Sequence, residues 1–246
     1  AILDALCRVV EEQAHGAVRA AILLVDEAGA CLRTGAAPSL PLQYSRALDG
    51  VAITAGVGTC IAAAASGQPV VTEDIAAAPG WADYRHLPLG IGLRAAWSMP
   101  IVSARGQVIG TFGTYFLEPR GPTPHERRLV AVLYRTAALA IERQRADDAL
   151  RESEARHRFL ADLAAATQPL TDPDEVMLVA ARMLAEHLDA DRCAYAEVEA
   201  ERVFVITGDH PRGVPSIVGR WEVAAFGPAC VRCMREGEPF VVTGTQ

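Results

Sequence analysis

From His125 to Gln168 the chain runs for forty-four residues without a Gly or a Pro. No other feature restricts its folding as strongly, because such a run, if helical, reaches roughly 65 Å, far more than one small domain needs. Its start is marked. Thr123 stands at an N-cap position, Pro124 at the first helical position and Glu126 at the third, the pattern of a capping box with the favoured proline. Its middle is rich in charges of both signs. Asp147 with Arg151, Glu152 with Arg156 and Glu154 with Arg158 are i,i+4 pairs in the favoured order. Ala146, Leu150, Ser153, His157, Leu160, Ala164 and Thr167 alternate steps of four and three, a thin coiled-coil seam. The spacing predicts a helix from Pro124 to about Thr167 that pairs in parallel with a second copy.

The segments on either side echo one another. "CIAAAASGQPVV" opens at Cys60 and "CVRCMREGEPFVV" at Cys230, each a Cys at a short helical run, then Gly, any residue and Pro. "VRAAILLVD" recurs 173 residues later as "DRCAYAEVE", with Arg19 matching Arg192 and Val25 matching Val198. In both flanks the expected order is helix, strand hairpin, loop, helix, Gly-x-Pro strand. A period this long indicates tandem duplication of a domain, not a solenoid. Helices are expected over 1–14, 56–67 and 172–188, with Gly67 as a C-cap. Hairpins are expected over 17–37, 93–118 and 191–209, with turns at Arg105-Gly106 and Ala200-Glu201. Residues 38–55 read as a loop and 238–244 as a strand. The first flank continues through the Trp97 hairpin into the long helix; the second stops short of its equivalent, so its sheet should lack strands.

Composition excludes several functions. All 23 basic residues are Arg, and the chain has no Lys and no Asn. A phosphate-binding loop needs a Lys, and kinase-type ATP sites need Lys and a magnesium-binding Asn, so ATP chemistry is not expected here. A net charge of −7 argues against a nucleic-acid partner. The longest apolar runs are too short to span a bilayer, and the first residues lack a secretory signal. Six unevenly spaced cysteines do not suggest a disulfide framework, which favours the cytoplasm. With no initiator Met, the chain is expected to be an excised piece of a longer one.

The combination Gly58-x-Cys60, Gly67-x-Pro69, Asp74-Ile75, Trp81, Gly92-Leu93-Arg94, Trp97-Ser98-x-Pro100-Ile101, Gly110-Thr111-Phe112 and Pro122-Thr123-Pro124 resembles the GAF domains that precede catalytic domains in bacterial sensor proteins. Ile61 departs from the family, which usually has a second Gly there. The second copy, with "AYAEV", "VPSIVGR" and "FGPAC", resembles less densely a GAF group of phytochrome-like sensor kinases, without a bilin-binding Cys-His pair. The resemblance implies an α+β fold with a central antiparallel sheet flanked by helices and a small-molecule pocket on one face. It implies a GAF domain over 1–145, a signalling helix over 124–168 and the N-terminal part of a second, truncated GAF domain over 169–246. It also implies a homodimer and a parent sensor histidine kinase whose catalytic part lies beyond Gln246. The segment itself is expected to catalyse nothing. Cyclic-nucleotide binding, known in some GAF domains, depends on an Asn-Lys motif that this composition cannot supply.

Candidate pocket residues are Cys60, Asp74, Trp81, Tyr84, His86, Arg94, Trp97, Ser98 and Tyr115. The strand holding Trp97 is expected at the sheet centre, beneath a lid formed by the loop from Ile75 to Gly90. A lone C-x-x-C at Cys230 and Cys233 lacks a second pair for zinc, and no metal site is expected. Neither the ligand nor a cofactor can be named. Two other roles stay open: a dimerisation scaffold without a ligand, and a thiol-redox sensor working through Cys60.

Overall fold

The computed structural model describes residues 2–53, 58–200 and 202–240, and the chain divides into two compact units, Ala1–Ala149 and Leu150–Gln246. In the first unit a helix α1 (Ile2–Gln13) leads into strands β1 (Val18–Val25) and β2 (Cys31–Ala36), a helix α2 (Leu42–Leu48), the two-residue β3 (Val51–Ala52) and a helix α3 (Thr59–Ser66). Then come β4 (Val70–Thr72), a single 3-10 turn at Pro79–Trp81, α4 (His86–Gly90), β5 (Ala95–Val102) and β6 (Val108–Phe116). The long helix α5 (Pro124–Thr167) follows. The six strands form one antiparallel sheet in the order β3-β2-β1-β6-β5-β4.

Alternation along the two central strands splits the core. Ile22, Phe112, Phe116, Trp97 and Ile101 face α1 and α5, where they meet Leu6, Val10, Val130, Ala137 and Ile141. Ala21, Leu23, Ala96 and Tyr115 face the other way, toward α2, α3 and the 3-10 turn, and pack with Tyr44, Cys60, Ile61 and Trp81. Both faces of β1 and β6 are buried, as their near-continuous apolar runs require.

The long helix starts as its capping box dictates. The Glu126 N–H donates to Thr123 Oγ1 (3.2 Å) and the Thr123 N–H donates to a Glu126 carboxylate oxygen (2.7 Å). Gly67 ends α3 in the left-handed region, φ 65°, as expected of a C-cap.

Three expectations are corrected. β5 is the penultimate strand rather than the central one; among the described residues only β4 lies beyond it, which leaves β1 and β6 at the centre. The stretch read as a loop over 38–55 contains α2 and β3. The strand expected at the first Gly-x-Pro, Gly67 to Pro69, is only three residues long, Val70–Thr72.

In the second unit α6 (Pro173–His187) is capped by Asp172, whose side chain accepts from the Asp174 N–H. The strands β7 (Arg192–Glu199), β8 (Val203–Pro211) and β9 (Gly219–Glu222) form an antiparallel sheet in that order, followed by a 3-10 turn and α7 (Pro228–Glu236). Thus β7-β8-β9 repeats the order β1-β2-β3, after a helix in both cases. The strand expected over 238–244 lies mostly outside the described residues, as does Glu201 of the expected turn.

Candidate functional site

The second core face of the first unit carries a connected set of small polar groups. The row Ala21–Gly113–Ser98 crosses β1, β6 and β5 with almost no side-chain bulk, and α3 settles onto it. A Cβ added at Gly113 would sit 2.9 Å from Cys60 Sγ, so glycine there is what allows the thiol to approach the sheet. The Ser98 hydroxyl donates to Thr59 Oγ1 at 2.9 Å. Cys60 Sγ lies 3.1 Å from Ser98 Oγ and 3.4 Å from Tyr115 Oη. All four side chains are buried.

Above this floor is a cavity of about 50 Å³, walled by Leu23, Leu32, Leu48 and Ile61 and bounded by Trp81, Tyr84 and Leu87. That volume exceeds the minimum for one water several-fold. Trp81 is pinned, because its indole N–H donates to Thr72 Oγ1 on β4 (3.1 Å) and its ring lies over Gly58, the residue before α3. Tyr44 stands edge-on to Tyr115, ring centroids 6.1 Å apart. The Tyr44 hydroxyl is buried beside that of Tyr115 but has no partner within hydrogen-bonding geometry, an arrangement costing about 1–3 kcal/mol if it stays dry. Burial, with the neighbouring Cys60 thiol, pushes both tyrosine hydroxyls well above their ordinary range, so both remain protonated at neutral pH. Among the described residues, the lining holds no Asp, Glu, His, Lys or Arg.

Of the residues singled out from sequence, Cys60, Trp81, Tyr84 and Tyr115 line this cavity, and Ser98 supports it from beneath. Trp97 does not. Adjacent residues of one strand point to opposite faces, so with Ser98 turned toward α3, Trp97 is turned toward α1 and α5, where Arg127 lies over its ring. Asp74, His86 and Arg94 are exposed and are not among the lining residues. Asp74 accepts from the Ala76 N–H (2.9 Å) and shapes its own turn. The backbone of Arg94 is tied to Phe116 and Ile75 at 2.7 and 2.8 Å, at the end of the sheet. Sequence reasoning missed Tyr44 and Thr59. A signal for Tyr44 existed in the spacing Leu40, Tyr44, Leu48, one face of a two-turn helix, masked by the prolines at 38 and 41.

Cys7, in α1, is buried on the other face; burial, then Glu11 and Asp4, push its thiol up to about 12. Among the described residues, no cluster of three or more His, Cys, Asp or Glu could hold a metal ion, and no helix is long and apolar enough to cross a membrane.

One strand runs between the cavity and the residues that hold the start of α5. On β6, Tyr115 faces the cavity and Phe116 faces the helices. The Arg120 guanidinium lies 4.0 Å from the Phe116 ring centroid and donates twice to the Glu126 carboxylate, at 2.9 and 2.8 Å. Burial alone would raise the Glu126 carboxyl, but Arg120 and Thr123 outweigh it and hold it below its usual range.

An antiparallel sheet with terminal helices on one face and a loop-and-helix-built cavity on the other defines an α+β domain. Residues 1–142 match the GAF domain family, and the chain belongs to it. Over 198 residues, 80% of this chain, it is 32% identical to the methyl sulfide methyltransferase-associated sensor of Methanosarcina acetivorans. The chain spans only 19% of that relative's length. Among solved structures it is similar to a domain assigned to a two-component sensor histidine kinase protein of Sinorhizobium meliloti 1021, at 28% identity and TM-score 0.49, covering 61% of this chain and 94% of that one. It is also similar to free methionine-R-sulfoxide reductase of Neisseria meningitidis, solved with its substrate, at 24% identity and TM-score 0.46, covering 59% of this chain and 78% of that one.

Proposed function

We propose that the first unit is the sensory domain of a signal-transduction protein, that a small molecule enters the cavity over Cys60 and Tyr115, and that α5 transmits its presence. The observation that carries this is the connection just described. Tyr115 and Phe116 are neighbours on β6, so a change at the cavity floor displaces Phe116 and, through the guanidinium over its ring, Arg120 and Glu126. In this reading the segment is not an enzyme, and the whole protein is a sensor histidine kinase working in the cytoplasm. The names of the curated relative and of the Sinorhizobium meliloti domain support this class.

Transmission requires a partner for α5, and we assign that role to a second copy in parallel. Val132, Leu139, Leu150 and Leu160 are 66%, 69%, 58% and 52% exposed. Val132, Leu139, Ala146, Ser153, Leu160 and Thr167 follow one another at intervals of seven, which extends the seam read from sequence two heptads toward the helix start. The second unit is read as the first part of a second GAF domain, supported by the repeated helix–strand order.

The test pairs two measurements on the same protein. A metabolite panel is screened by thermal shift, and spin labels placed at exposed Arg143 report the distance between paired helices. A compound that raises the melting temperature and changes that distance supports sensing with transmission. A compound that stabilises the protein with the distance unchanged refutes transmission through α5. A panel without effect favours the scaffold alternative. Thiol-redox sensing gains no support from Cys60, whose sulfur is buried between Ser98 and Tyr115.

A further inference from the structure

Tyr44 carries an oxygen that packing alone does not require. Its ring is 4% exposed and lines the cavity, and its hydroxyl is unpartnered. The other polar atoms of the floor satisfy one another in a chain from Thr59 through Ser98 and Cys60 to Tyr115. Among the described buried groups of the lining, what remains is the Tyr44 O–H, against a wall of Leu23, Leu32, Leu48 and Trp81. A phenylalanine would fill the same volume, so the oxygen suits a partner that arrives from outside.

The rest of the lining narrows what that partner is. With no Asp, Glu, His, Lys or Arg among the described lining residues, a charged molecule would lose its hydration and meet no carboxylate, imidazole or guanidinium of opposite charge. Residues 54–57, outside the described set, are Thr-Ala-Gly-Val and carry no ionisable side chain. A sugar or polyol would bring more donors and acceptors than the floor can satisfy. Resting on the ligand-sensing function above, we propose that the cavity takes a compact, uncharged, mostly hydrocarbon molecule whose single acceptor oxygen receives the Tyr44 O–H.

The test uses the full chain, as wild type and as Tyr44→Phe, with three probes of one shape: cyclopentanone, cyclopentane and cyclopentylamine, which is cationic at pH 7. Ligand-observed NMR titration measures each Kd. Cyclopentanone is expected to bind the wild type and to lose about tenfold in affinity on Tyr44→Phe, the worth of one hydrogen bond. Cyclopentane should not distinguish the two proteins, and the ammonium should not bind. Equal cyclopentanone affinity for both proteins, or strongest binding of the ammonium, overturns the ligand class while leaving a binding cavity in place. Failure of all three probes on folded wild type overturns the cavity as a ligand site altogether. The melting temperature of Tyr44→Phe checks the premise. No hydrogen bond is lost, so it should not fall; a fall would show that the hydroxyl already has a structural partner and would overturn the proposal.

Discussion

Glu126 offers the sharpest test of how the first unit holds α5. Its carboxylate accepts from Arg120 at 2.9 and 2.8 Å and from the Thr123 N–H at 2.7 Å. The side chain is 11% exposed and that of Arg120 24%. Glu126→Ala removes half of the capping box, worth about 1 kcal/mol, and a charge-assisted pair worth about 1.5–3 kcal/mol. Arg120 is exposed enough to regain some hydration, so the expected total is about 2–4 kcal/mol. Glu126→Gln keeps the shape and a competent capping residue and loses the charge, for about 1 kcal/mol.

The pH dependence has a definite sign. The folded carboxyl lies below its ordinary value of 4.5. Its contribution is therefore fully present above the unfolded value and is lost as pH falls through the lowered folded value. The gap between wild type and Glu126→Gln should be full at pH 7 and close toward pH 3. Urea unfolding followed by tryptophan fluorescence measures this in a Trp221→Phe background, which leaves Trp81 and Trp97 as reporters, both in the first unit. A Glu126→Ala cost below about 0.5 kcal/mol would refute the clamp, since surface changes already reach that size. So would a gap that stays constant down to pH 3.

Three further outcomes are expected. Leu150→Glu with Leu160→Glu should give monomers in light scattering; an unmodified chain that is monomeric at high concentration refutes the paired helix. Trp81→Ala should cost about 3–5 kcal/mol as a large buried aromatic and abolish ligand-induced stabilisation, whereas Trp81→Phe, which loses the bond to Thr72, should cost about 1 kcal/mol beyond its small packing change; calorimetry with and without cyclopentanone separates them, and a Trp81→Ala protein that still responds to ligand shows that the indole only plugs the core. Gly113→Ala should cost about 1–3 kcal/mol by overpacking against Cys60 and weaken cyclopentanone binding at least fivefold; unchanged affinity would mean that α3 does not set the cavity floor.

How far the fold was legible depends on whether local signals acted alone. The long helix was legible to within a residue, because a capping box and an uninterrupted helix-compatible run need no tertiary context. The Cys60 helix and its Gly67 cap were legible for the same reason. Site residues were harder. Asp74, His86 and Arg94 were chosen for polarity, but polar side chains at turn and strand ends find water more easily than a cavity. Trp97 was named with Ser98, but strand alternation turns two neighbours to opposite faces, and its spacing with Ala95, Met99 and Ile101 fits the helix-side core in which it lies. Tyr44 was lost because α2 is only two turns long and begins beside a proline, so composition outweighed the 40, 44, 48 spacing.

The sheet's central rows suggest a reason for the cavity's position that no single strand reveals. On one face, Ile22, Phe112 and Met99 lie side by side across β1, β6 and β5, and fill the space under α1 and α5. On the opposite face the adjacent row is Ala21, Gly113 and Ser98. In these two rows each strand places bulk on the side of α1 and α5 and withholds it on the other. Short helices can then approach the sheet closely at Gly113, but they cannot close the gap beside Tyr115, where large rings from α2 and β6 meet edge to edge. The cavity lies at that step between a row of small residues and a pair of rings. Read along one strand, Gly113 looks like a weak position in β6; read across three strands, it is the floor on which Cys60 rests.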